Sequence, residues 1–228
     1  MAFEPARVEV VTFDSYSTLV DVGTTVEALA DHVEDPISVA RSWRVQSLIY
    51  AFACNALDAY EPFWDLCDYA LDDALAEHGE DLSAAVRTDV LSVYHDLDSF
   101  PDVRPGVERL VDAGYDCYVV SNGNPEMLAT MVESAGIADL IADTVSADDV
   151  ASYKPAPAIY EEAARRAGAE PETVVHATAG LLDAQGATNA GLQSVWLNRH
   201  ERARGRFGPD PGAERATVHD LADALGAP

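Results

Sequence analysis

The chain has 228 residues, 48% of them hydrophobic, enough for one large α/β domain or for a core carrying a smaller inserted domain. Fourteen basic residues face 40 acidic ones, and the resulting charge of −26 repels nucleic acid and anionic membranes, both of which require a basic footprint. No apolar run approaches the ~18 residues needed to span a bilayer, and MAFEPARVEV has no basic stretch followed by an apolar one, so a cytoplasmic protein without a secretory signal is expected.

The acids are spread through periodic segments such as VEALADHVED and YALDDALAEHGED, which reads as a solvated shell over an ordinary fold, as in a halophile's high-salt cytoplasm. Thirteen of the basic residues are Arg, and Lys154 is the single lysine. Cys54, Cys67 and Cys117 are odd in number and form no CxxC, so they suggest small buried hydrophobes, not a disulfide framework or zinc site.

Residues 7–13, RVEVVTF, are β-branched and apolar and predict a buried strand, followed by the turn-like DSYST. From 23 to 97 only helical patterns occur, with helices expected near 23–31, 37–58, 62–78 and 84–96 and breaks at DPIS, YEP and HGEDLS. Pro36 and Pro62 suit first-turn positions, where proline loses no helical hydrogen bond. After FPDVRPG, strand-like runs at 116–121, 142–146, 173–177 and 193–197 alternate with helices near 105–113, 125–135, 156–167 and 183–190, and a last helix is expected near 217–225. Residues 199–214 read as a surface loop.

Strands alternating with helices predict a mostly parallel sheet. The fold class is therefore α/β: a Rossmann-like core of residues 1–21 and 98–228, with a helical cap of residues 22–97 inserted after the first strand. Loops at the carboxyl ends of such strands form the ligand crevice. Asp14, Ser121, Lys154 and Asp183 all fall in loops after strands or at helix starts. Alone, Asp14 reads better as a turn or helix-capping aspartate, and the plain alternatives are a surface lysine before a proline for Lys154 and a turn residue for Ser121. The six histidines show no metal or triad spacing, and His176 reads as a satisfied strand-end residue.

Taken together, FDSYSTL (13–19), VVSNGN (119–124), YKPAPAIY (153–160) and LLDAQGATNAGLQSVWLNR (181–199) resemble the haloacid dehalogenase superfamily. Tyr16 and the cap segment SWRVQSLIY (42–50) resemble its L-2-haloacid dehalogenase branch. The resemblance implies that Asp14 is a nucleophile forming a covalent ester. Phosphatases of the superfamily carry a second aspartate where this chain has Tyr16; a phenol with a pKa near 10 cannot replace that acid, whereas a halide leaving group needs no proton. The phosphatases' pair of metal-binding acids falls on Ala179 and Asp183, of which one is acidic, so no essential metal and no other cofactor is implied.

By the same resemblance, Lys154 stands beside Asp14 in place of a metal and keeps it ionised, and Thr18 steadies the ester's oxyanion. Ser121 and Asn122 bind the substrate carboxylate, Arg44 engages carboxylate or halide, and Asp183 orients the lysine or the hydrolytic water. Tyr16, Tyr160, Thr178 and Phe63 complete the pocket, and Trp64 is a further candidate wall. Gly180 and Leu182 stand where the family usually has asparagine and tryptophan, and Ser17 replaces its usual glycine. The implied partner is a small 2-haloacid-like carboxylate, together with a second copy of the chain as a homodimer. A phosphatase, another hydrolase acting on a small carboxylate, and a catalytically decayed binding protein are the alternatives.

Overall fold

The computed structural model describes residues 2–228. Its sheet has six parallel strands in the order β3-β2-β1-β4-β5-β6. The first strand, β1 (Val10–Phe13), is buried along its whole length, as a strand covered on both faces must be. It pairs on one side with β2 (Asp116–Ser121) and on the other with β4 (Val174–Thr178). Beyond these lie β3 (Asp143–Ser146), β5 (Gln193–Leu197) and β6 (Ala213–Arg215). The chain winds outward from β1 in one direction and then in the other, so β1 and β4 flank the switch point where an open α/β sheet builds its crevice.

The first four α-helices follow β1 before residue 98: α1 (Thr24–Leu29), α2 (Pro36–Leu57), α3 (Phe63–His78) and α4 (Ala84–Ser92). Asp35 caps α2 by accepting from the Ser38 N–H, with Pro36 at the first position, and α3 ends at Gly79 in the left-handed region. Pro62 is the N-cap of α3, one residue outside the first turn expected for it. Trp43 of α2, fully buried, donates to the Cys67 carbonyl of α3 at 2.8 Å and ties the two helices together. The strands entering and leaving this segment run side by side: Asp21 N–H donates to Asp98 O at 2.7 Å, and Phe100 N–H to Leu19 O at 3.1 Å.

The remaining helices, α5 (Val103–Asp112), α6 (Pro125–Ser134), α7 (Pro157–Ala167), α8 (Leu181–Asn189) and α9 (Val218–Ala224), follow the expected alternation. Two details differ from the sequence reading. Residues 213–215 are strand β6, not loop; three residues beside Gly212 carry too short a pattern to show a period. His176 lies in the middle of β4, not at its end.

Asp102, just before α5, joins distant parts of the core by accepting from Arg199 Nη1 at 2.8 Å and from the Val218 N–H at 2.7 Å. Gly186 does the same by being small. A Cβ there would lie 2.6 Å from both Pro155 Cβ and the Tyr160 hydroxyl, so α8 can approach the Lys154–Pro155 turn only with glycine at this position. Gly186→Ala is expected to lower stability by about 1–3 kcal/mol through overpacking, against a gain of roughly 1 kcal/mol in helix propensity; the urea midpoint measures it, and an unchanged or higher midpoint would show that the contact yields freely.

Candidate active site

Asp14 emerges from β1 into a tight turn, in which Ser17 N–H donates to Val20 O and Leu19 N–H to Ser15 O, both at 2.8 Å. Ser17 sits at φ +69, a left-handed conformation where glycine carries no steric penalty. The turn brings Thr18 back onto the aspartate: its hydroxyl donates to Asp14 Oδ2 at 2.6 Å. The same hydroxyl accepts from the Ala179 N–H at 2.9 Å, so its one proton is committed to Asp14.

Lys154 lies 5% exposed, with Nζ 3.0 Å from Asp14 Oδ1 and 3.0 Å from Asp183 Oδ2. Burial alone would push its ammonium down, but the two carboxylates outweigh burial and hold it above the usual lysine value. Asp183 stands in the first turn of α8, where the helix N-terminus favours a negative charge. Burial acts to raise it, yet Lys154, His176 and Tyr160 together hold it well below the usual carboxylate range. The Tyr160 hydroxyl donates to Asp183 Oδ1 at 2.5 Å, and His176 Nε2 lies 3.1 Å from Oδ2.

A cleft of about 440 Å³ opens over these groups. Asp14, Lys154, Asp183, Ser121, Asn122 and Arg44 supply its polar lining, and Tyr16, Phe63 and Leu182 part of its apolar wall. Ala179 and Gly180 contribute the backbone between β4 and α8. The Ser121 hydroxyl lies 2.6 Å from Ser15 Oγ and accepts from the Gly123 N–H at 3.0 Å. Asn122 Oδ1 accepts from the Lys154 N–H at 2.9 Å, which fixes the loop carrying the lysine. Arg44 reaches the cleft from α2, with Nη2 3.5 Å from Ser17 Oγ and no carboxylate partner among the described residues. Tyr16 packs edge-on against Tyr94 at 5.5 Å, and Gly123 leaves room for its ring. Its hydroxyl is buried without a partner, and burial holds the phenol well above its usual value.

Three candidates lie elsewhere. Thr178 is fully buried and its hydroxyl accepts from the Gly180 N–H at 3.0 Å, so it shapes the β4–α8 turn and does not line the cleft. Tyr160 stands behind Asp183, because α7 presents its hydroxyl to that carboxylate and not to the open space. Trp64 stacks on His95 at 4.7 Å, away from the cleft. The sequence reading missed Leu48, Phe52 and Arg202 on the cleft wall. Leu48 and Phe52 fall four and eight residues after Arg44 on α2, a helical spacing that points to them; Arg202 lies in a loop without period.

The donor set does not fit a divalent metal. Ala179 offers no side-chain ligand, and the two carboxylates of the cleft are already bridged by an ammonium at 3.0 Å from each.

A family model described as haloacid dehalogenase-like hydrolase matches residues 8–191. The chain is 34% identical over 188 residues to (S)-2-haloacid dehalogenase 4A of Burkholderia cepacia, across 82% of this chain and 81% of that one. It is 28% identical over 224 residues to an (S)-2-haloacid dehalogenase of Pseudomonas sp. (strain YL), across 95% of each. The crystal structure of an L-2-haloacid dehalogenase superposes with a TM-score of 0.93 at 30% identity, covering 96% of this chain and 99% of that one.

Lys154→Met leaves Asp14 and Asp183 facing each other without a cation. Removing one partner of a buried ion pair is expected to cost about 3–5 kcal/mol near neutral pH. Two like charges sharing a site raise one carboxyl's pKa. That group then binds its proton more readily in the folded state than in the unfolded one, so the deficit shrinks as pH falls. Urea denaturation of both proteins at pH 7 and pH 4.5 measures this; a deficit that grows on acidification would refute it.

Proposed function

The chain belongs to the haloacid dehalogenase-like hydrolase family, and on that premise we propose that it hydrolyses the carbon–halogen bond of short (S)-2-haloalkanoic acids, without a metal, to give (R)-2-hydroxy acids. The observation that carries this reading is the Lys154 ammonium lodged 3.0 Å from the Asp14 carboxylate, where it supplies the positive charge that a metal would bring.

The substrate carboxylate is held by Ser121 and Asn122, with C2 facing Asp14 and the halogen directed away from it, toward Arg44. An Asp14 oxygen forms a bond to C2 as the carbon–halogen bond breaks, and the electron pair leaves with the halide. In-line attack inverts C2, and alignment of the bound acid supplies much of the rate. Water then adds to Asp14 Cγ. Lys154 and the Thr18 hydroxyl, which donate to the two Asp14 oxygens, stabilise the charge that develops there. The bond between Cγ and the alkyl oxygen breaks, and the hydroxy acid departs.

Tyr16 separates this chemistry from phosphoryl transfer. A leaving alkoxide needs a proton, and a buried phenol held above its usual value is a far weaker acid than the carboxyl it replaces. Halide needs none. Helices α1 to α4 act as a cap, bringing Arg44 and Phe63 over the nucleophile.

No helix of the described residues is long and apolar enough to cross a membrane, and the enzyme is read as cytoplasmic. It acts as a homodimer in high salt. Support comes from α2, whose outer face carries Ile37 at 68%, Val45 at 49% and Ile49 at 47% exposure, three exposed apolar side chains on one helical row that Arg41 interrupts, on a strongly acidic chain. Salt is needed to screen the repulsion between two chains of net charge −26.

In high salt with EDTA, the enzyme is expected to release halide from (S)-2-chloropropionate and not from the (R) enantiomer, and Asp14→Asn to lower the rate by more than about 10³-fold. Magnesium-dependent phosphatase activity without halide release would overturn the assignment. Sedimentation across a salt series is expected to show the dimer giving way to monomer as salt falls, with Ile49→Asp monomeric throughout; a dimer unaffected by Ile49→Asp would remove α2 from the interface.

A further inference from the structure

His176 is fully buried in β4, and both of its ring nitrogens are engaged. Nε2 lies 3.1 Å from Asp183 Oδ2, and Nδ1 lies 2.9 Å from Thr12 Oγ1 on the neighbouring strand. Because Nε2 faces an ionised carboxylate, it must carry a hydrogen and donate it. Nδ1 then accepts from the Thr12 hydroxyl. If the ring is protonated, Nδ1 donates instead, and the Thr12 hydroxyl turns to the Val175 carbonyl at 3.3 Å. In either state the Nε2–H stays on Asp183. The Tyr160 ring meets the imidazole edge-on at 5.4 Å and fixes it from the α7 side.

We propose that His176 is a positioning residue for the second half-reaction, hydrolysis of the Asp14 ester, acting through Asp183 on Lys154. The inference rests on the dehalogenase reading above and deepens it. In the free enzyme Lys154 is shared by two carboxylates. Once Asp14 is esterified its charge is gone, and among the described residues Asp183 is the one protein carboxylate left in contact with the ammonium. Where Asp183 points then decides where Lys154 points. Asp183 Oδ1 is held by Tyr160, and Oδ2 carries both Lys154 and His176. Gly180, beside it on the cleft wall, offers no side chain to help.

With the His176 N–H gone, Oδ2 keeps only the lysine, and the carboxylate is free to draw the ammonium off the ester carbonyl. Water addition to Cγ then loses the charged one of its two donors and keeps the Thr18 hydroxyl. Completion of that step breaks the bond between Cγ and the alkyl oxygen. One water proton ends on the departing hydroxyl, and the other is released as Asp14 re-ionises. The first half-reaction requires an ionised Asp14 and an aligned substrate; there the Asp14 charge itself holds Lys154 at 3.0 Å, whatever the orientation of Asp183.

The test compares His176→Gln with His176→Asn. A Gln amide nitrogen overlies Nε2 and still reaches Asp183, whereas the shorter Asn overlies Nδ1 and does not. With (S)-2-chloropropionate, H176N is expected to show kcat reduced about 10- to 100-fold and KM not raised. It should also show a burst of one halide per active site and a carboxyethyl adduct on the Asp14 peptide by mass spectrometry. H176Q is expected to turn over near the wild-type rate with no burst. Equal behaviour of the two variants, or a slow H176N without adduct, would overturn the proposal. Should H176N fail to fold, His176→Met, which fills a similar volume but has no N–H for Asp183, carries the test: adduct accumulation there supports the inference, and turnover without adduct overturns it. Absence of halide release by the wild-type enzyme would instead defeat the dehalogenase reading itself.

Discussion

The site depends on one buried ammonium held between two carboxylates. Asp14 comes from the end of β1, Asp183 from the start of α8, and Lys154 from the loop before α7, so three separate returns of the chain must meet within about a hydrogen bond's length. Taking three charges out of water is unfavourable unless their remaining lone pairs and protons are satisfied. The surroundings do this: Thr18 donates to Asp14, Tyr160 and His176 attend to Asp183, and Asn122 fixes the backbone of Lys154. Much of the local packing, including the absence of a side chain at Gly186, exists so that these groups can approach.

Much of this was readable from residues alone. The β-branched run before Asp14, the uninterrupted helical pattern after it, and the later alternation of strand and helix specify the order of elements. The single lysine in a chain of 40 acids pointed to Lys154 as strongly as any motif. Other features left no trace. His176 and Asp183 are seven residues apart, but the chain turns from strand to helix between them, so neither period carries across the gap. Within β4 a histidine among valines looks like any buried residue until the sheet puts Thr12 beside it. Thr178 failed in the opposite way: its position suggested a pocket hydroxyl, but a nearby backbone N–H claims it. The edge strand β6 is too short to carry a pattern.

Tyr16 shows how one position redirects a shared scaffold. The sheet and its crevice serve any chemistry in which a carboxylate attacks. A buried phenol against Tyr94, with Gly123 making room, replaces a proton donor with an apolar wall. The leaving group must then depart as an anion, without a proton. That restricts the cleft to halide-like departures more effectively than any added contact.

Lys154 also makes the molecule chemically unusual for the experimenter. It is the only lysine of the chain and is 5% exposed. Its ammonium is held charged between two carboxylates, and an alkylammonium is not a nucleophile. Amine-directed dyes, cross-linkers and surface-coupling resins, which decorate most proteins at many points, therefore find the α-amino group and almost nothing else while the fold holds. Modification at position 154 becomes, in effect, a reporter of cleft opening or unfolding against a silent background.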